Sequence, residues 1–220
     1  KGRYKENLAI IKEARLSNMS SEVLRDFHLE TAILRCLNHQ NIVRLYGLVE
    51  IPPPYVRIVT EYNERNITLR SHLEKYHSPL SPLHDVAATT TVASLNQKEL
   101  IQHLTFAIDI CRGMQYLHGI IPPITHRSLT SFSVIITPSN SCGDGGGEEG
   151  FCAKIADASL ARYLEVTALD SGGKVPGEEE SWRWRAPELT TDSTEIKPFF
   201  LSSDVYSFAM VMWELFSPPG

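Results

Sequence analysis

Long apolar runs are missing from this chain. The longest uninterrupted one, Phe208 to Trp213, falls far short of the roughly 18 residues that a membrane-crossing helix needs, so no bilayer span is expected. An excess of positive charge is missing too. Against 26 Asp and Glu stand 21 Lys and Arg, the net charge is −5, and no window is dominated by Lys and Arg. That removes the electrostatic footprint of a protein that reads a nucleic-acid backbone. Cysteine is sparse: Cys36, Cys111, Cys142 and Cys152 are the only four, and none forms the close pair that zinc or a redox motif uses. They read as reduced thiols in a cytoplasmic protein. The histidines show no pairing with Cys or carboxylates at ligand spacing, so no transition-metal site is expected. There is no internal repeat and no initiator methionine. A chain opening at Lys1 is expected to be an internal fragment of a longer product, and the lack of a leader is then uninformative.

What is present is enough apolar residue, 42% of 220, to fill one sizeable domain or two small lobes. Leu8 to Ile11, bounded by charge, suits a buried strand, and Lys12 sits at its end. Ser20 to Asn38 places Val23, Leu24, Phe27, Ile33, Leu34 and Leu37 at helical spacing, entered through the candidate caps Ser20 and Ser21. Glu30 falls inside that stripe. Its carboxylate is directed toward the protein body, where an unpaired charge is costly, so a cationic partner is expected.

Strands are expected at Ile42 to Glu50 and Val56 to Tyr62, separated by the turn Ile51-Pro52-Pro53-Pro54. A helix signal at Ile67 to Tyr76 gives way to a Ser-, Thr-, Pro- and Ala-rich insert over 77–96. Lys98 to His118 reads as a long helix whose apolar face, from Leu100, Ile101 and Leu104 through Ala107, Ile108, Cys111, Met114 and Leu117, is broad enough to be mostly buried. Short strands at Val134 to Ile136 and Ala153 to Ala156 flank a glycine-rich loop over 139–150, and a buried helix, Val205 to Phe216, follows the candidate cap Ser203.

With this order of elements, THRSLTSFSVII (125–136), KIADASLAR (154–162), RWRAPEL (183–189) and SDVYSFAMVMWEL (203–215) resemble the eukaryotic protein kinases, nearest the tyrosine-kinase-like group. The resemblance covers essentially the whole chain. It implies an α+β, two-lobed protein-kinase-like fold: residues 1–62 as a small, mainly antiparallel β lobe with one helix, lacking the glycine-rich loop, and 63–220 as an incomplete, mainly α-helical large lobe. Lys12 would be the phosphate-binding lysine and Glu30 its salt-bridge partner, the rival reading being a surface lysine and a solvated glutamate. Ile10 takes the place of the small alanine that faces adenine. Thr60, Glu61, Tyr62 and Asn63 resemble the gatekeeper and hinge, a stretch that would look the same as a plain edge strand.

The catalytic loop departs from the family. Kinases place an aspartate after His-Arg to accept the substrate hydroxyl's proton, then a lysine, then a Mg²⁺-binding asparagine; here those positions hold Ser128, Thr130 and Ser133. A serine hydroxyl is neither base nor anion near pH 7, and that assistance is typically worth ~10²- to 10⁴-fold. Asp157 stands where the Mg²⁺ aspartate stands, with Ala158 and Ser159 in place of Phe and Gly; the alternative is a strand-end turn residue. His126, Arg127 and Asp204 would support the loop's backbone, and Glu188 would anchor the activation segment, with its usual arginine partner beyond Gly220. Thr167, Ser171 and Ser181 are candidate phosphosites. The implied cofactors are ATP and Mg²⁺, with Asp157 the metal ligand, and the implied partner is a protein, an active kinase among the candidates. Three functional readings stay open: a pseudokinase acting as scaffold or allosteric regulator, a slow serine/threonine kinase, and a decayed fragment without selected function.

Overall fold

The computed structural model describes residues 1–15, 21–50, 55–77, 96–139, 150–157, 182–189 and 200–217. The Pro52-Pro54 turn, most of the two inserts, Ala158, Ser159 and the three candidate phosphosites lie outside them. So do Ser20 and the side chains of Ser21, Val23 and Leu24.

Four strands make the first sheet: β1 (Gly2–Tyr4), β2 (Asn7–Arg15), β3 (Leu45–Glu50) and β4 (Tyr55–Glu61), in the order β1-β2-β4-β3, all antiparallel. β4 is central because its alternation puts Val56 and Ile58 into the core at 1% exposure each. The strand expected from Ile42 begins at Leu45; Ile42 makes only an isolated parallel bridge to Ile155. Helix α1 (Ser21–Cys36) crosses between β2 and β3 and buries Phe27, Leu34 and, just past its end, Leu37. Ile33 is not part of that stripe: it is 38% exposed, and the buried place is taken by Thr31, whose Oγ1 donates to the Phe27 carbonyl at 2.7 Å.

The remaining described elements are β5 (Ile67–Thr68), α2 (Leu69–His77), α3 (Gln97–His118), β6 (Val134–Ser139), β7 (Gly150–Ile155), a 3₁₀ turn at Pro187–Leu189 and α4 (Leu201–Phe216). The first two residues of the expected helix at Ile67 are thus strand, paired with β6 in a sheet ordered β5-β6-β7. α3 starts with a capping box, Asn96 Oδ1 accepting from Glu99 N and Glu99 Oε2 from Asn96 N, both at 2.9 Å. Its face is narrower than the sequence suggests. Leu100, Ile101, Leu104 and Ile108 are 41 to 55% exposed, while His103, Phe106, Ile110, Gly113 and Leu117 form the buried row, because only one stripe of a 3.6-residue helix can face β7 and α4. α4 begins four residues before Val205, at Leu201, so Ser203 lies inside the first turn and does not cap it; its hydroxyl donates to Glu188 Oε1 at 2.7 Å.

A short strap joins the α1–β3 connection to β7. Val43 N donates to Ile155 O at 2.8 Å, Ile155 N to Asn41 O at 2.9 Å, and Asn41 Nδ2 to Ala153 O at 3.0 Å. Gly113 of α3 passes directly beneath. A Cβ there would stand 2.8 Å from Asn41 O and 2.7 Å from Ile155 Cδ1, which is why the position holds glycine. Phe27, Phe106, Ile110, Leu117, Leu129, Val134, Ile155 and Leu215 belong to one continuous core. Among the described residues no helix is long and apolar enough to cross a membrane.

Candidate functional site

The loop His126 to Ser133 is held from beneath by α4. Asp204, 2% exposed, accepts from His126 N at 2.8 Å, Arg127 N at 2.9 Å and His118 Nε2 at 2.9 Å. Arg127 has a left-handed backbone (φ 73°), which costs a side-chain-bearing residue about 1 kcal/mol; Asp204's grip on consecutive amides compensates. His126 is fully buried, and burial lowers its pKa. Its Nδ1 accepts from Ser128 N at 3.3 Å, so Nε2 carries the proton and donates to Ala156 O at 3.1 Å.

Ser128, Thr130 and Ser133 sit on this loop, and the last two are occupied inside it. Ser133 Oγ accepts from Thr130 N at 3.0 Å and lies 3.0 Å from Thr130 O and 3.3 Å from Ser128 O. Thr130 Oγ1 accepts from Phe132 N at 3.2 Å and Ser133 N at 3.3 Å. The two hydroxyls therefore close the loop on itself. Ser131, next to them, donates to Glu214 Oε1 at 3.1 Å, and Trp184 Nε1 donates to Glu214 Oε2 at 2.8 Å. Arg70 also reaches Glu214, at 3.5 Å. Burial raises the Glu214 pKa, and these donors work against the rise. This clamp from α2, the loop and Trp184 to α4 was not legible in the sequence: Glu214 looks there like one polar residue in an apolar helix.

Lys12 and Asp157 meet. The Lys12 ammonium donates to Asp157 Oδ2, an ion pair with side chains 38% and 23% exposed. The bridge expected from Lys12 to Glu30 is therefore not the one formed: Glu30 instead faces the Arg127 guanidinium at 3.9 Å. The reason is positional. Asp157 follows β7 in a left-handed conformation (φ 60°), tolerable for aspartate, and this turns its carboxylate onto the lysine. The cationic partner expected for Glu30 exists, but it comes from the loop.

On the first sheet Ile10 is opposite Thr60 and Lys12 opposite Ile58, so Ile10, Lys12 and Thr60 share one face. Thr60 is 9% exposed and Ile10 half-buried beside it, leaving less room than an alanine would. Glu61 turns to Lys154 Nζ, 2.6 Å away, and the Lys1 ammonium lies 4.9 Å above the Tyr62 ring. Behind this stretch a polar hollow of about 520 Å³ is lined by Glu6, Tyr46, Glu61, Tyr62, Glu64 and Lys154, among others.

The residues fit nucleotide phosphates through Lys12. They do not provide the paired protein donors of a two-ligand Mg²⁺ site: Asp157 is one anionic donor, ion-paired with Lys12, while Ser133 is neutral and committed to its own loop. Among the described residues no group of three or more His, Cys, Asp or Glu is placed to hold a metal.

A family model described as protein tyrosine and serine/threonine kinase matches residues 1–219. The chain is 31% identical over 216 residues to serine/threonine-protein kinase TNNI3K of Mus musculus, covering 98% of the chain and 22% of the relative. It is 32% identical over 195 residues to serine/threonine-protein kinase CTR1 of Arabidopsis thaliana, covering 89% and 19%. Over 219 residues it is 30% identical to serine/threonine/tyrosine-protein kinase HT1 of the same plant, covering 98% and 46%. The chain thus spans about a fifth of the first two relatives and under half of the third.

Proposed function

The chain belongs to the protein tyrosine and serine/threonine kinase family, and from that premise we propose that it is a pseudokinase domain, which holds or allosterically biases a protein partner in phosphorylation signalling, an active kinase being the leading candidate. The carrying observation is the catalytic loop. Ser128 offers a neutral hydroxyl where a base belongs, and Ser133 spends its hydroxyl on Thr130 and Ser128. His126, Arg127, Asp204 and Glu188 meanwhile keep architectural contacts. In this reading residues 1–62 act as the small lobe and 63–220 as the large one. Nucleotide is a conformational ligand: Lys12 receives its phosphates, Asp157 its Mg²⁺ when one is bound, and Glu30 biases α1 through Arg127. Thr60, Glu61 and Tyr62 border the base, in a pocket narrowed by Ile10. The free cysteines suit a cytoplasmic setting.

One observation favours a second reading, a slow serine/threonine kinase: Lys12 and Asp157 are side by side, and phosphoryl transfer depends chiefly on positioning and electrostatics. Turnover and nucleotide binding separate the two. The pseudokinase reading expects ATP to raise the melting midpoint of the full-length protein, by ~2.7 kcal/mol of stabilisation at a hundredfold excess over Kd, with no phosphate transferred to protein substrates. Ser128→Asp with Ser133→Asn should restore measurable transfer if the rest of the site is assembled. Steady turnover by the unmodified protein, abolished by Lys12→Met, would sink the pseudokinase reading. The absence of any nucleotide shift would sink the conformational-ligand role and leave a scaffold.

A further inference from the structure

The polar hollow of about 520 Å³ behind Glu61 and Tyr62 is separate from the place where Lys12 and Asp157 meet. Ile10, Lys12 and Thr60 share one face of the first sheet, and successive side chains of a strand alternate, so Glu61 turns to the other side. The volume lies within the range of about 300 to 1,000 Å³ usual for ligand sites. Three carboxylates line it, from Glu6, Glu61 and Glu64, against two cations, Lys154 and Arg65. Lys154 is spent on Glu61 at 2.6 Å, and Arg65 has an interaction of its own. Glu6, in the turn between β1 and β2, and Glu64, past the end of β4, are exposed and make no ion pair or hydrogen bond with a described residue. Deeper polar groups are uncommitted as well. Thr137 is only 8% exposed, yet its hydroxyl has no hydrogen-bond partner among the described residues, and Asn66 Oδ1 is a buried acceptor that also has none.

We infer that this hollow is a binding site for a guanidinium group, the head of an arginine side chain. One corner already shows which charge it favours. The Lys1 ammonium stands 4.9 Å from the centre of the Tyr62 ring, and its pKa is raised, first by its hydrogen bond to Tyr62 and further by Glu64. What the lining lacks is donors to match its acceptors. A guanidinium carries five N–H donors in one plane and no acceptor, so it can answer carboxylates from two segments at once, whereas an ammonium is a point charge with three. Its flat face also stacks on aromatic rings, which Tyr62 and Tyr46 supply, the latter itself stacked on Tyr4 at 4.9 Å. An anionic ligand would instead meet the uncompensated charges of Glu6 and Glu64. Bound there, the guanidinium would join the turn between β1 and β2 to Thr137 of the second sheet, on the side away from Lys12.

The test is isothermal titration calorimetry with the full-length protein, without nucleotide and at one low ionic strength, since salt screens exposed charges. Three ligands are compared: N-acetyl-arginine methylamide, its citrulline counterpart, in which a neutral urea replaces the guanidinium, and the end-blocked peptide Gly-Gly-Arg-Gly-Gly. The arginine amide is expected to bind saturably at one site, and the citrulline amide at least tenfold more weakly. Glu6→Gln, Glu64→Gln and Thr137→Val should each weaken binding about threefold, and the two glutamine changes together about tenfold. Glu74→Gln, which removes a carboxylate paired with Arg70 on α2, should leave it unchanged. Peptide binding at least tenfold tighter than that of the arginine amide assigns the site to arginine on a protein segment; affinities closer than that assign it to small guanidinium compounds, and both support the site. Citrulline bound as tightly as arginine, binding that survives Glu6→Gln with Glu64→Gln, or no binding at millimolar ligand would overturn it. Because neither nucleotide nor turnover enters the measurement, this outcome is independent of whether the protein proves to be a pseudokinase or a slow kinase.

Discussion

Single residues decide how this loop is held. Asp204 stabilises a left-handed Arg127 by accepting from it and its neighbour, and Ser133 spends its hydroxyl on a link inside the loop. The most exacting residue is far from any chemistry. Gly113 packs so closely under the strap that a methyl group meets a backbone oxygen at 2.8 Å, an atom that cannot rotate away. Gly113→Ala gains roughly 1 kcal/mol of helix propensity but overpacks the contact, typically at a cost of about 1 to 3 kcal/mol. A net loss of stability is expected in urea unfolding; a variant as stable as the parent would show that α3 and β7 can move apart cheaply. The motif residues at this scale were readable because each occupies a fixed place in a contiguous string. Their partners were not. Lys12 with Asp157 and Glu30 with Arg127 join residues more than ninety positions apart, and spacing within one segment carries no information on which of two carboxylates a lysine meets.

At the scale of elements, the strands and helices were legible wherever apolar residues repeat with a clear period, as in β2, β4 and α3. Ends and faces were less so. The Asn96–Glu99 capping box fixes the start of α3 at Gln97, although Asn96 reads in the sequence as the end of the insert, while α4's start at Leu201 carries no side-chain cap to announce it. The buried face of α3 differs from the apolar one because His103 and Asp109 are inside, Asp109 accepting from Ala153 N at 3.0 Å. His103 and His72 build the junction of α2, α3 and α4. Their rings lie 5.6 Å apart against Phe106 and Phe216, and His103 Nδ1 bonds the Leu215 carbonyl at 2.9 Å. Burial lowers both pKa values, that of His72 to about 4, with Lys75 and His103 adding to its shift and Glu99 opposing that of His103. A folded-state pKa below the unfolded one means that unfolding takes up a proton, so this junction loses stability as the pH falls from about 7 toward 4. The slope is at most about 1.4 kcal/mol per pH unit for each ring. His72→Phe should therefore match the parent more closely at pH 7 and gain on it toward pH 5, read as the difference between their melting curves. A gap that does not change with pH would mean that His72 is not held neutral by its surroundings.

For the whole molecule, the order of motifs gave the two-lobed α+β architecture, since that order constrains topology more than any one element does. The way in which the halves are joined came only from the structure, because the strap uses backbone groups that every sequence possesses. Asn41 is its one side-chain member. Asn41→Ala strips the Ala153 carbonyl of a buried donor, a loss of about 1 to 3 kcal/mol, and should speed hydrogen exchange at Val43 and Ile155 while α4 keeps its protection. Uniform acceleration across the chain would show instead that the strap unfolds only with everything else.

The strap does not act alone. Among the described residues the first sheet and α1 are tied to the rest by the strap at Asn41 to Val43, by Lys154 on Glu61, by Tyr116 Oη on Asn38 N and by the Lys12–Asp157 and Glu30–Arg127 pairs. Lys12 lies on β2 and Asp157 just past β7, so their ion pair is one that spans the two sheets. Any anion that reaches the Lys12 ammonium must therefore displace a carboxylate held there by the other sheet.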